Sequence, residues 1–236
     1  MRPIERGPAP QVYARYEDAK QDLVNRLGLY CSYCERRIAT LLAVEHIQPK
    51  ALPPYAHLEL VWENFLLGCV NCNSAKGDKD VILSKLLLPD RDNTFAAFRY
   101  DPLGTVEITA SLGAGVSVMA ESTRDLTALN RLSHADWNDQ AMFSALERVS
   151  QRVQAWVQAS EALADYQSGR TTARAVAREA AGCGFFSIWM AAFEGILEVR
   201  RELIATFPGT SADCFDASTS PVTPRPPNGL ADGSKL

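Results

Sequence analysis

Residues 31–76, CSYCERRIATLLAVEHIQPKALPPYAHLELVWENFLLGCVNCNSAK, decide the reading of this chain. Two Cys-x-x-Cys pairs, Cys31/Cys34 and Cys69/Cys72, bracket the adjacent Glu45 and His46 and an isolated Asn64, and Asn73 follows directly on the last cysteine. A two-residue gap lets both sulfurs of a pair point to one side of a tight turn and supply half of a tetrahedral site. Two such pairs, 34 residues apart, predict one Zn²⁺ held by four cysteines. Two redox-active or merely buried pairs are the alternative. Four thiolates leave no open coordination position, so this zinc is expected to be structural, pinning two distant segments and shaping the loop between them. Chemistry then falls to residues between or beside the pairs.

Inside the bracket, TLLAVEHIQPK (40–50) reads as a strand that ends at Pro49, with Glu45 and His46 near its end. Strand neighbours face opposite ways, although a terminal bend can bring both toward one site. Asn64 lies among large apolar residues, where its amide needs partners, and the backbone of a neighbouring loop would satisfy both its donor and its acceptor. Asn73-Ser-Ala-Lys76-Gly77 is expected to start a helix, with Asn73 either a cap or a functional amide. Free N–H groups in such a first turn suit a phosphate.

Outward from this stretch, residues 1–12 are Pro-rich and extended, and Tyr16, Ala19, Leu23 and Leu27 repeat at helical spacing up to Gly28. FAAFRY, Asp101-Pro-Leu-Gly104 and VEIT predict a hairpin. Asp90, Asp92 and Asn93 before it are either turn formers or an outer shell beside a metal. From about Ser117 the pattern turns helical. Met142, Leu146, Val149, Val153, Trp156 and Leu163 mark one helix from about His134 to Tyr166, with Ser133 as N-cap and Asp136 three residues on. A shorter helix is expected near Thr171–Ala181, and Phe186, Trp189, Met190, Phe193, Leu197, Leu203 and Phe207 mark another from Phe185 to Thr206. These stripes either pack on one another or dock a partner. The last residues, 208–236, are rich in Pro, Gly, Ser and Asp without periodicity, and are expected to be disordered.

Composition narrows the function. The 236 residues, 47% of them hydrophobic, can bury a full core in one or two domains. Residues 1–10 carry no apolar segment and no run of about 18 apolar residues occurs, so a cytoplasmic protein with no membrane contact is expected. There the two Cys pairs would hold metal rather than form disulfides, and Cys183 and Cys214 would be free thiols. A net charge of −4 argues against autonomous tight binding of nucleic acid. Even residues 31–85 balance six Lys or Arg against six Asp or Glu.

Glu45-His46, Asn64 and Asn73-x-x-Lys76, framed by the four cysteines, resemble the HNH endonuclease motif, a ββα-metal site in which two strands and a helix grip one divalent cation. GLYCSYCERRI, VEHIQPK, WENFLLGCVNCNSAKG and LLPDRDNTFAAFRY are further similar to the HNH subunit of Septu-type anti-phage systems, to about residue 100. The resemblance, joined to the patterns above, gives an expected α+β chain: an arm and helix over 1–30, a zinc-stabilised ββα-metal nuclease domain over 31–110, and, from periodicity and composition, a helical domain over 111–207 and a disordered tail over 208–236. It implies that His46 acts as general base, that Glu45 and Asn73 ligate Mg²⁺ or Mn²⁺, that Asn64 orients His46 through the loop backbone, and that Lys76, with Lys79, holds a phosphate. Glu45 stands where Asp is common in the family and Asn73 where His is common; the amide favours a hard, oxygen-loving metal. The implied substrate is DNA and the implied partner an ABC/SMC-like ATPase. A stand-alone restriction-type nuclease and a non-catalytic zinc-ribbon binding module remain open.

Overall fold

A computed structural model of the chain describes residues 1–130 and 140–236, with side-chain packing outside 131–145. The periodic stretch before Gly28 divides into a 3-10 turn at Tyr16–Ala19 and helix α1 (Lys20–Leu27), which buries Leu23 and Leu27. Strands β1 (Ala43–His46) and β2 (Phe65–Gly68) pair antiparallel, Glu45 opposite Leu66 and His46 opposite Phe65. All four residues of β2 are buried. Its apolar run is therefore covered on both faces, and each fully buried Leu or Phe contributes about 1.5–3 kcal/mol.

Helix α2 (Val70–Lys76) follows β2 at once. Its N-cap is Cys69, whose Sγ accepts from the Cys72 N–H, so Asn73 lies inside the helix and does not start it. Asn outranks most residues as a cap, which drew the expected start too far along the chain; a cysteine sulfur fills the position instead. The positive end of α2 consequently faces the cysteines and offers no phosphate site near Asn73.

A short helix α3 (Thr94–Ala97) leads into the expected hairpin, strands β3 (Phe98–Tyr100) and β4 (Val106–Ile108). Helices α4 (Ala114–Leu126), α5 (Gln140–Gln167), α6 (Ala173–Cys183), α7 (Phe186–Ala192) and α8 (Leu197–Thr206) make up the C-terminal half. The molecule is thus α+β, with small antiparallel sheets and a helical C-terminal part. α5 packs on α6 and α7, and α8 packs on α6 and α7. Ser133, His134 and Asp136, expected to open α5, lie outside the described residues, as does the Met142 side chain.

Three more expectations need correction. The single helix over Phe185–Thr206 is two, because the chain turns at Gly195 (φ +81°), a conformation L-residues rarely adopt. Phe193 before the turn and Leu203 after it are buried in one core, whereas Leu197, at the start of α8, is exposed. On α5 the expected stripe is only half-buried at Leu146, Val149, Val153, Trp156 and Leu163. The fully buried face carries Arg148, Arg152, Ala155, Ala159 and Ala162, small residues that allow close approach and guanidiniums that satisfy backbone carbonyls.

The last residues are ordered. Arg225, 1% exposed, donates to the carbonyls of Pro89 and Ile4 and pairs with Glu5. Asn93 donates to the carbonyls of Cys214 and Val222, and Asp92 accepts from the Lys235 N–H. Backbone bonding to buried side chains of the 88–93 turn, which composition does not register, supplies what apolar burial lacks. Asp90, Asp92 and Asn93 therefore anchor termini and turn.

Candidate functional site

The four cysteines form one cluster. Their sulfurs are buried and lie within 4.8 Å of one another, with Cys34 Sγ and Cys69 Sγ 3.7 Å apart. A tetrahedron built on Zn–S bonds of about 2.3 Å has edges of about 3.8 Å, so the donor set fits Zn²⁺. Peptide N–H groups already serve the sulfurs: Cys69 N donates to Cys31 Sγ and Cys72 N to Cys69 Sγ, both at 3.4 Å. Burial pushes the Cys31 thiol up, while hydrogen bonds from Cys31, Cys34 and Cys72 pull Cys69 down. Four buried sulfurs this close cannot all be thiolates without a cation. Arg148, reaching from α5, places Nη1 3.9 Å from Cys72 Sγ and ties its guanidinium to the carbonyls of Thr127 and Ala128.

A separate cleft of about 280 Å³ opens beside this cluster, lined by Tyr16, Glu45, His46, Lys50, Asn73 and Lys76 among others. Gly68 brings its walls together: a Cβ there would stand 3.1 Å from Glu45 Cβ and 3.7 Å from Asn73 Cβ, so α2 could not lie so close to β1. Glu45 Oε1 is 2.9 Å from Lys76 Nζ, and both side chains are almost fully buried. Burial raises the Glu45 carboxyl above its ordinary value, and Lys76 opposes the rise. The Glu45 carboxylate, buried and paired with Lys76, and the Asn73 amide both line the cleft and bring two oxygen-bearing groups to it. They fit a hard cation such as Mg²⁺, which takes one or two protein oxygens and keeps several waters.

His46 projects into the same cleft. Its Nε2 lies 2.9 Å from the Glu59 carbonyl, and its ring meets Tyr16 and Phe65 edge-on at centroid distances of 4.9 and 5.2 Å. A carbonyl only accepts, so Nε2 carries the proton and Nδ1 remains as the basic nitrogen. Burial holds the imidazole pKa below its ordinary value, partly opposed by the Glu59 carbonyl. His46 is thus neutral near pH 7.

Asn64 stands behind the cleft. Its Oδ1 accepts from Gln48 N at 2.8 Å, and its Nδ2 donates to the carbonyls of Gln48 and Leu58. One amide so joins the loop after His46 to the turn that presents Glu59. Arg6 braces the same region by donating to the carbonyls of Glu63 and Phe65 and pairing with Asp90.

The structure therefore gathers Glu45, His46, Asn73 and Lys76 in one cleft, with Asn64 in the scaffold behind them. Lys79 lies elsewhere, in a depression with Asp80, Lys85 and Asp125. Asp90 and Asp92 are engaged by Arg6, Arg91 and Lys235. Three residues at or beside the cleft were not marked by sequence as part of a site: Tyr16, read there only as a helix position, Lys50, and Glu59, whose carbonyl meets His46. Lys50 Nζ sits 3.9 Å from the Tyr16 ring centroid and 2.5 Å from Glu59 Oε1. The VEHIQPK stretch contained Lys50, but only the turn that returns Glu59 to His46 shows where it points. A larger cavity of about 480 Å³ lies between α8 and the last residues, lined by Ile204, Phe207 and Phe215 among others, away from all of these groups.

No helix among the described residues is long and apolar enough to cross a membrane. No curated protein matches the chain. One family model does: residues 31–79, which hold the cysteine cluster together with Glu45, His46, Asn64, Asn73 and Lys76, match the HNH endonuclease family.

Proposed function

We propose that this protein is a metal-dependent endonuclease that hydrolyses phosphodiester bonds of DNA. The single observation that carries this reading is the placement of His46. Its Nε2 is committed to the Glu59 carbonyl and its ring lines the cleft that Glu45 and Asn73 share. In that orientation Nδ1 takes a proton from a water molecule, and the resulting hydroxide attacks phosphorus while the 3′ oxygen leaves. Glu45 and Asn73 would hold Mg²⁺ or Mn²⁺, which would supply charge neutralisation to the reacting phosphate. Asn64 keeps the Glu59 carbonyl and His46 in register through the loop backbone. The zinc of the cysteine cluster stays out of the reaction, having no open position.

In the cytoplasm this nuclease would serve as the effector subunit of a Septu-type anti-phage complex with an ABC/SMC-like ATPase. The likeness of residues 1–100 supports this role, as does a site region whose charges cancel, since such a surface binds DNA more weakly than a basic one and gains from a partner that delivers it.

Plasmid cleavage with Mg²⁺ tests the catalytic part. Wild type is expected to cut, chelator to abolish cutting, and His46→Ala to lower the rate about 10²–10⁴-fold, the usual worth of a positioned base. Equal activity in all three would leave only a zinc-ribbon binding module. Co-purification with an ATPase tests the complex; full activity of the chain recovered alone would make it a stand-alone nuclease.

A further inference from the structure

A cleft that holds a DNA strand needs an accessible cation near the base, and the two lysines expected from the motif do not supply one. Lys76 is 2% exposed and paired with Glu45, and Lys79 faces another depression. Lys50 meets the requirement. It lines the cleft, its side chain is 34% exposed, and its ammonium rests on the Tyr16 ring, whose edge-on partner is the His46 imidazole. One aromatic ring thus separates this cation from the base.

We infer that Lys50 is the residue that grips the phosphate backbone of the DNA, and that the Glu59 side chain occupies it until DNA arrives. This rests on the nuclease reading above. Glu59 then has two separable roles. Its main-chain carbonyl fixes His46, while its carboxylate neutralises Lys50. The carboxylate is half-exposed, and solvent-exposed ion pairs are weak, so an incoming phosphate can replace it. The switch of partner conserves charge on Lys50 and frees one negative group to swing away from the strand.

The test measures affinity of the full chain for a fluorescent duplex oligonucleotide over a salt series with Mg²⁺, in a His46→Ala background that prevents cutting. Lys50→Gln is expected to weaken binding about 3–10-fold and to reduce the slope of log affinity against log salt by about one, as for loss of a single phosphate contact. Lys50→Arg should restore both. Glu59→Gln leaves the carbonyl in place and is expected to tighten binding about 2–3-fold by freeing Lys50. That gain should vanish when Lys50→Gln is also present. Unchanged affinity and slope in Lys50→Gln, or a Glu59→Gln gain that persists without Lys50, would overturn the assignment while leaving the nuclease reading intact. Failure of wild type to cut, or of the His46→Ala parent to bind duplex, would instead overturn the nuclease reading and this inference with it. Matching melting temperatures among the variants exclude unfolding as the cause.

Discussion

At the scale of single residues the cleft depends on side chains that act through backbone. Asn64 is the clearest case, since its amide makes bonds on both sides of the His46 loop without lining the cleft itself. Asn64→Ala would orphan the Gln48 N–H and two carbonyls in a largely buried setting, where each unmet group costs about 1–3 kcal/mol. The expected loss is about 2 kcal/mol in denaturant unfolding, with kcat falling more than KM rises, because the Glu59 carbonyl drifts from His46 while the phosphate contacts remain. An unchanged midpoint and unchanged kcat would show the amide to be dispensable. Glu45, His46, Asn64 and Asn73 were legible in sequence because each is a polar type in an apolar setting or at a fixed offset from a cysteine. The meeting of Lys50, Tyr16 and Glu59 around His46 was not, because it forms only when the 50–60 turn folds back over β1. Nothing in local spacing encodes that return.

At the scale of elements, periodicity located helices and missed what their buried faces do. The apolar stripe of α5 placed the helix correctly from Leu146 to Leu163, yet the face in the core is the one with Arg148 and Arg152. Hydropathy ranks arginine as solvent-seeking, so a face that buries two of them through carbonyl contacts is invisible to it. The consequence reaches the metal cluster. A zinc held by four thiolates carries a net negative charge in a buried setting, and Arg148 is a cation whose Nη1 stands 3.9 Å from Cys72 Sγ. Partners of this kind tune ligand affinity for the metal. Arg148→Met keeps length and apolar stem but removes the charge. It is expected to weaken zinc retention about 10-fold, the lower end for loss of an outer contact. The measurement is zinc transfer to a chromogenic chelator from the intact chain. Arg148→Lys should give an intermediate loss, and a release rate equal to wild type in both variants would show that α5 packs beside the cluster without acting on it.

At the scale of the whole molecule, the ends of the chain close over the turn that follows the segment matching the HNH family. Ile4 bridges Thr210, Ser211 N donates to the Pro3 carbonyl, and Arg225 reaches Ile4, Glu5 and Pro89 at once. Arg6 continues the same strip into the site by holding Glu63 and Phe65. A path of hydrogen bonds therefore runs from the last residues, through the N-terminal arm, to the end of β2 where Asn64 begins the cleft scaffold. Composition alone described residues 208–236 as a tail, because proline and serine bury little; the ordering comes from polar bonds between segments far apart in sequence. Arg225→Ala removes one of the most buried side chains and leaves the Pro89 and Ile4 carbonyls unmet. The expected cost is about 3 kcal/mol, the scale of two orphaned acceptors and a lost ion pair. Hydrogen exchange is the measurement suited to this prediction, because it resolves where the loss is felt. Faster exchange at Ile4, Glu5 and Ser211 is required, and faster exchange spreading to Asn64 and Ile47 would show that the strip carries stability to the cleft. Protection unchanged at Ile4 and Ser211 in the variant would show instead that the last residues lie on the arm without holding it.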